Sequence, residues 1–442
     1  MRKNSENQRP LTPLWPQHAL AHELALISKI LDQHPQISDL VLQDLSDKKG
    51  QARGAPGLSG EQAVRCAVLK NWQQLSYRKL AFHLADSMSF RRFCRFPLGW
   101  TPTKSCLQEN IGAIRAETWE QINRVLIRWA DQQGLEKGRK IRVDATAVPS
   151  PIHYPLDSQL LYDGIRKITA LLGKVKAHHP VLYSDHCRRA RRRCTNLRNA
   201  RGQAKKKPLY RDLLKVAAKT AHYARQALKE ASSWQDGPSL LLAARLRHYL
   251  PLLERVMEQT KRRVLRGEKV PAEHKVVSIF EEHSDIIRKG GRETTFGHKV
   301  FLTCGKTSLI LDCRVVRGNP ADQSQMQPML ERHEQLYGCY PRQASLDGGF
   351  ASQDNLRWAK KQGIADVAFA KKRGLKVPDM VRSSWVYRQL RRFRAGIEGC
   401  ISMLKRVFGV DRCTWKGWEH FQQYVQMSVV SFNLLVLARL LL

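Results

Sequence analysis

The spacing of apolar residues changes near Lys140, and this change limits the possible folds more than any other feature. Before Lys140, apolar residues recur every three or four positions, as in helices that bury one face. The segment IRVDATAV then alternates apolar and polar residues, which is typical of a strand. A helical pattern follows from residue 157 to about residue 266, and further strands are predicted at 276–280, 299–304, 309–316, 344–346 and 367–370. We therefore predict an α/β fold.

The chain of 442 residues is too long for one ordinary domain, and three parts are predicted. Residues 1–58 contain several prolines and glycines and end in GQARGAPG, so we interpret them as an N-terminal extension and linker. Residues 59–137 are predicted to form a helical N-terminal domain, with capping boxes at Ser59 and Thr118. DNA binding and plain scaffolding explain that domain equally well. Residues 138–442 contain the strands, interrupted by a helical insertion at 152–270.

The net charge points to a polyanionic partner. Lys and Arg outnumber Asp and Glu by 76 to 39, which gives a net charge of +37 and a pI near 10.2. Such a surface concentrates nucleic acid, and a basic surface kept only for solubility does not explain so large an excess. The most basic stretch lies in the insertion and includes Arg191, Arg192 and Arg193. We predict that it contacts DNA phosphates, although a charge run is often only a solvated helix face.

No segment predicts export or membrane insertion. The N-terminus MRKNSENQRP is polar and has no apolar core of a signal peptide. The apolar stretch 427–442 is short for a membrane span and contains Ser431, Asn433 and Arg439. None of the ten cysteines forms a C-x-x-C pair. We therefore expect a cytoplasmic, DNA-associated protein without a membrane partner.

Two aspartates occupy strand positions suited to chemistry. Asp144 is the acid of the strand IRVDATAV, and apolar neighbours fix its place. Asp347 ends the short strand ASL and is followed at once by two glycines. An acid at the end of a strand, beside a glycine turn, is typical of functional sites in folds that contain both helices and strands. Asp312 and Asp322 compete with it; we interpret Asp312 as an exposed residue of a strand and Asp322 as a loop or capping residue.

The third candidate acid, Glu398, lies in a predicted helix, RRFRAGIEGCISMLKRVFG. Three cations share its helix face at spacings of three, four and seven residues: Arg391, Arg394 and Lys405. Taken alone, the pattern is better explained by a surface ion pair between Arg394 and Glu398 than by a functional site.

These motifs together resemble the bacterial insertion-sequence DDE transposases. That family surrounds its catalytic glutamate with the signature Y-x2-R-x3-E-x6-K, which Arg394, Glu398 and Lys405 match. Arg391 stands where the family has tyrosine, a departure that leaves the carboxylate intact. The contexts VDATAV and LDGGF around the two aspartates are also similar to the family, and IHYPLDSQLLYDGIR resembles its ISNCY-type subgroup. The resemblance extends from about residue 58 to the C-terminus.

The resemblance implies an RNase H-like catalytic core in which Asp144, Asp347 and Glu398 bind two Mg²⁺ ions, with Mn²⁺ able to substitute. Carboxylates from separate elements suit hard cations, which prefer oxygen ligands. Arg394 and Lys405, with Arg391 nearby, would contact the DNA of the transposon ends and balance charge. The implied function is cleavage of double-stranded DNA at the element's ends and strand transfer to target DNA, by a homodimer in the active complex. The alternative is an inactive or domesticated copy that only binds DNA.

Overall fold

The computed structural model of the chain describes residues 15, 18–47, 57–288 and 294–442. Its helices are α1 (Ala19–Asp32), α2 (Pro35–Asp47), α3 (Gly60–Trp72), α4 (Tyr77–Asp86), α5 (Met88–Phe93), α6 (Lys104–Ile111), α7 (Ala116–Gln132), α8 (Asp157–Lys176), α9 (Cys187–Asn199), α10 (Gln203–Glu230), α11 (Gly237–Thr260), α12 (Met326–Tyr337), α13 (Gln353–Lys361), α14 (Val377–Met380), α15 (Ser384–Arg406) and α16 (Trp418–Leu440). Its strands are β1 (Lys140–Pro149), β2 (Asp285–Ile287), β3 (Thr295–Cys304), β4 (Ile310–Val316), β5 (Gln343–Leu346) and β6 (Asp366–Phe369). The predicted mixture of helices and strands is confirmed.

The chain divides into two compact units. The first contains residues 1–150 and 297–442, and the second contains residues 151–296. The second unit is a bundle of α8–α11, as the helical pattern predicts, and small and aliphatic side chains fill its core. The strand predicted at 276–280 is wrong. The side chain of Gln259 accepts from the N–H of Val276 at 2.9 Å and donates to its carbonyl at 3.4 Å, so a helix side chain takes the backbone bonds that a strand would need.

The N-terminal region is more ordered than its prolines and glycines indicate. Our interpretation of residues 1–58 as extension and linker is wrong for 19–47, which form α1 and α2. In α1, Leu24, Ile27 and Leu31 are buried at helical spacing, so this helix contributes to the core of the first unit. All of GQARGAPG except its last glycine lies outside the described residues.

One of the two predicted capping boxes is confirmed. Ser59 and Gln62 exchange backbone and side-chain hydrogen bonds, both 3.1 Å, at the start of α3. The box predicted at Thr118 is wrong, because α7 begins at Ala116 and its N-cap is Arg115, three residues before Thr118. The backbone N–H of Arg115 instead donates to the carboxylate of Asp44 at 2.8 Å. An acid from α2 therefore helps to fix the start of α7, which local sequence cannot reveal.

Five strands of the first unit form a mixed sheet in the order β4-β3-β1-β5-β6. Strand β1 is central, antiparallel to β3 and parallel to β5, while β6 continues the parallel side. Antiparallel pairing joins β3 to β4. The strands predicted at 299–304, 309–316, 344–346 and 367–370 are confirmed, with small shifts at their ends. Both edges of β1 are paired up to Val143, and Asp144, the next residue, remains paired with Leu302 of β3, so the backbone at this acid is fixed.

The C-terminal helix α16 packs beside the edge strand β4. Asn433 accepts from the N–H of Ile310 at 2.9 Å and donates to its carbonyl at 2.8 Å, and its amide also donates to Asn123 of α7 at 2.6 Å. These side chains satisfy backbone groups that an open sheet edge would leave unpaired. Among the described residues, no helix has the length and apolar character needed to cross a membrane.

Candidate active site

The register of the parallel strands brings two of the predicted acids side by side. Val143 of β1 pairs with Leu346 of β5. Asp144, still within β1, and Asp347, directly after the end of β5, follow this pair and therefore lie at the same level of the sheet. The side chain of Asp144 is mostly buried, and its Oδ1 accepts from the N–H of Ala145 at 2.7 Å. The side chain of Asp347 is 42% exposed. The residue itself directly precedes the turn that follows β5.

Helix α15 supplies the third acid because it is anchored on the same strands. Ser383 caps the helix by accepting from the N–H of Val386 at 3.2 Å. The hydroxyl of Ser345, on β5, donates to the carbonyl of Leu390 at 2.9 Å, and the hydroxyl of Tyr387 donates to the carbonyl of Phe369, on β6, at 2.9 Å. These bonds fix the helix over the end of the parallel strands, and Glu398, 68% exposed, lies on its outer face.

A buried arginine from β1 passes directly beneath α15. Arg142 donates to the carbonyl of Phe393 at 3.1 Å and to the hydroxyl of Ser308 at 2.9 Å. A methyl group on Gly396 would overlap the guanidinium of Arg142, so glycine at this position leaves room for the buried arginine beneath the helix. Sequence reasoning missed both residues, although a glycine inside a helix is a signal of close packing.

Arg394 connects all three predicted acids. Its Nη1 lies 2.8 Å from Oδ2 of Asp144 and 3.5 Å from Oδ1 of Asp347, and its Nη2 lies 3.4 Å from Oε1 of Glu398. The structure therefore brings together one acid from each of β1, the end of β5 and α15 around a single guanidinium. The three carboxylates outnumber the one guanidinium that they share.

The donor set suits a divalent metal ion. Three carboxylates offer only oxygen ligands, which hard cations such as Mg²⁺ prefer. In the part of the chain that the structure describes, no three His, Cys, Asp or Glu side chains are already arranged as metal ligands. At this cluster the guanidinium of Arg394 contacts all three acids. Asp144, Asp347 and Glu398 are the residues that would hold the ion.

The cations predicted to contact DNA differ in how exposed they are. On α15, Arg391 is exposed, and Lys405 is partly buried two helical turns beyond Glu398. On α9, in the second unit, Arg191 and Arg192 are exposed. Arg193 is less exposed and forms an ion pair with Asp212, which also binds Arg189.

The two competing aspartates have partners of their own. Our interpretation of Asp312 as an exposed strand residue is wrong, because its side chain is buried and its Oδ2 accepts from Arg332 at 2.7 Å. Arg332 comes from α12, and it also contacts Glu120 of α7 at 2.9 Å. Asp322 begins a short 3₁₀ turn and pairs with Lys299 at 3.0 Å. Both are therefore engaged in ion pairs away from Arg394.

Comparison with known families identifies two matches. Residues 254–434 match the family described as Transposase DDE domain, a range that includes Asp347 and Glu398. Residues 16–111 match the family described as Transposase domain (DUF772). Searches of curated proteins and of solved structures found no match. The two family matches do not overlap, and together they cover more than half of the chain. Both matched families are transposase families, and the two matches indicate an insertion-sequence DDE transposase.

Proposed function

We propose that this transposase cuts double-stranded DNA at the ends of its own insertion sequence and joins those ends to target DNA. The catalytic residues would be Asp144, Asp347 and Glu398, on an RNase H-like core. One observation supports this most strongly: acids from distant parts of the chain contact the same guanidinium, that of Arg394. Surface ion pairs alone would not require acids from two strands and a helix to meet at one point.

The chemistry of the cluster is phosphoryl transfer. When bound, two Mg²⁺ ions would activate the attacking water or 3′-hydroxyl and stabilise the leaving oxygen. Asp144, held rigidly on β1, and Asp347, at the end of β5, would provide fixed ligands. Glu398 is the most exposed of the three, so it would approach from the solvent side of the site. Arg394 balances part of the acids' charge, and its guanidinium could then bind a DNA phosphate.

DNA binding is supported by charge. The net charge of +37 attracts the duplex. Arg191 and Arg192, exposed on α9, are side chains of the type that contacts DNA phosphates. Arg391 and Lys405 lie on α15 seven residues before and seven residues after Glu398, so cations stand on both sides of the acid. We infer that transposon ends and target DNA are both bound as duplexes, and that a homodimer forms the active complex. The closer likeness to the ISNCY-type subgroup stays a prediction.

The test uses purified protein and a duplex containing the inverted repeats that flank the reading frame. With Mg²⁺ or Mn²⁺, we expect nicks at the repeat ends, followed by joining of those ends to a plasmid. Cleavage without joining would support a nuclease of related fold. Binding without cleavage in either ion would support the alternative of an inactive, DNA-binding copy.

A further inference from the structure

The position of Asp347 depends on the turn that follows it. Its side chain is 42% exposed, and its contact with Arg394, 3.5 Å, is longer than that of Asp144, 2.8 Å. A half-exposed carboxylate directly after a short strand has few side-chain contacts, so its own backbone has a large part in orienting it. The turn Gly348–Phe350 is therefore the part of the chain that decides where this acid points.

The turn is packed on one side against Asp322. A methyl group on Gly349 would overlap the carboxylate of Asp322, so the two residues are in direct contact. The residue after Asp322, Gln323, donates from its side chain to the carbonyl of Ala351 at 2.8 Å. The side chain of Asn355 donates to the carbonyls of Phe350 and Gln323, both at 2.9 Å. The loop before α12 is thus hydrogen-bonded to the backbone that follows Asp347.

Asp322 is itself fixed by a mostly buried ion pair. Lys299 donates to Oδ1 of Asp322 at 3.0 Å and to the carbonyl of Pro320 at 2.8 Å, and little of either charged side chain is exposed. Lys299 lies on β3 opposite Ala147, three residues beyond Asp144 on β1. A continuous series of contacts therefore runs from the strand that contains Asp144 to the turn that orients Asp347.

We infer that Lys299 and Asp322 form a positioning pair that holds Asp347 in place relative to Asp144. The pair supplies no ligand to the metal and no contact to DNA; it acts through Gly349. The inference rests on the proposed function. It predicts that loss of the pair slows the chemical step while leaving affinity for DNA unchanged, because a displacement of a reacting group by about 1 Å can cost about 100-fold in rate.

Three variants test the packing of the turn itself: Asp322→Ala, Gly349→Ala and the double variant. Gly349→Ala should displace the turn and lower the rate of cleavage at saturating DNA by about 10- to 100-fold. Asp322→Ala should also slow cleavage, because the turn loses its support. In the double variant, the new methyl group occupies space left by the carboxylate, so cleavage should be faster than in Gly349→Ala alone. The inference would be overturned if the fold-loss of rate in the double variant equalled the product of the two single losses. A wild-type rate in Asp322→Ala would also overturn it.

Two variants at Lys299, one that keeps the positive charge and one that removes it, separate the effect of the charge on the rate from an effect on folding. Lys299→Arg should retain the rate, whereas Lys299→Met should lose it, with equal affinity for end DNA in both. The matched control is Asp354→Ala, an acid near the same turn whose side chain is 85% exposed. That control should cut at the wild-type rate. An equal loss of rate in Lys299→Arg and Lys299→Met would count against a role for the ion pair.

A readout independent of cleavage is the rise in melting temperature on adding Mn²⁺. The wild type and Asp354→Ala should gain stability from the ion, and Asp322→Ala should lose most of that gain, because Asp347 is no longer held in place. If the wild type binds Mn²⁺ in this way but cuts no DNA, the proposed function fails and the positioning pair survives. An equal gain in Asp322→Ala, or no gain in the wild type, overturns the positioning pair.

Discussion

The guanidinium of Arg394 lies 2.8 Å from the carboxylate of Asp144, although 250 residues separate them in the chain. This ion pair joins α15 to the central strand of the sheet, and the same guanidinium reaches Asp347 and Glu398. Arg394 is therefore the internal counter-ion of the acid cluster. Its presence explains how three carboxylates can share a site before any metal ion binds.

Removing that counter-ion should expose the repulsion between the acids. We expect Arg394→Gln to lower the free energy of unfolding by about 1–2 kcal/mol without divalent metal, since a partly buried charge cluster loses its partner. Added Mg²⁺ should recover most of this loss, because it replaces the missing positive charge. Urea unfolding with and without Mg²⁺ measures both effects. Arg391→Gln, an exposed position on the same helix, should change neither value.

Two glycines of α15 should respond in opposite ways to the same substitution. Gly396→Ala should cost about 1–3 kcal/mol of stability, because its methyl group would overlap the guanidinium of Arg142. A methyl group added at Gly399 would have no described atom within 4 Å apart from the neighbouring backbone of its own helix. Gly399→Ala should therefore stabilise the protein by about 0.5–1 kcal/mol through helix propensity. Thermal unfolding decides the comparison, and equal effects at both positions would contradict the close packing of α15 on β1.

Stability should rise with pH because of one buried lysine. Lys70 lies on α3 with its ammonium 4.6 Å from the ring centre of Tyr77, and burial lowers its pKa to about 8 from an ordinary 10.5. Between these two values the unfolded chain binds the proton more tightly than the folded chain, so the free energy of unfolding increases as pH rises through this window. The wild type should gain about 2 kcal/mol relative to Lys70→Met between about pH 7.5 and 9.5.

Urea titrations of both proteins at the two pH values test this prediction. Lys79→Met is the matched control, because Lys79 is exposed on α4 and its loss should leave the pH dependence as in the wild type. Parallel pH curves for the wild type and Lys70→Met would contradict the effect of burial.

The arginines of α9 should divide into two groups. Arg191→Glu with Arg192→Glu should weaken binding to every duplex and reduce the salt slope by about one unit for each DNA phosphate that the variant no longer neutralises. Arg189 and Arg193 are held by Asp212, so their substitution should lower stability as well as affinity. Fluorescence anisotropy across a salt series measures the slope. If affinity and slope are unchanged in the first variant, α9 is only a solvated face.

Much of the sheet and its acids was predictable because the relevant signals are local. Alternation marks β1, and Asp347 is identified by a strand end followed by two glycines. The pattern around Glu398 needed a resemblance to a family, since an ion pair with Arg394 explains the spacing better when it is taken alone. The structure contains that ion pair and also brings Arg394 to the two aspartates. The two interpretations are therefore compatible, which the spacing alone could not reveal.

The rest depended on contacts between distant segments. Alternation in β4 indicates an exposed Asp312, but Arg332 comes from α12 and buries it. Arg142 is buried beneath α15, where Gly396, far along the chain, leaves room for its guanidinium. The start of α7 depends on Asp44 of α2. In each case the deciding partner lies outside any window of sequence in which periodicity or capping can be recognised.

The central claim is that Asp144, Asp347 and Glu398 together form the catalytic site, and one set of conservative variants tests it most directly. Asp144→Asn, Asp347→Asn and Glu398→Gln keep shape but each remove one negative charge. Cleavage of end DNA in Mg²⁺ should fall by about 100-fold or more in each variant, because each loses a metal ligand. Binding to uncut end DNA should persist or tighten, since repulsion of the phosphates is relieved. Asp354→Asn should cut normally. Wild-type cleavage and joining by Glu398→Gln would contradict the assignment.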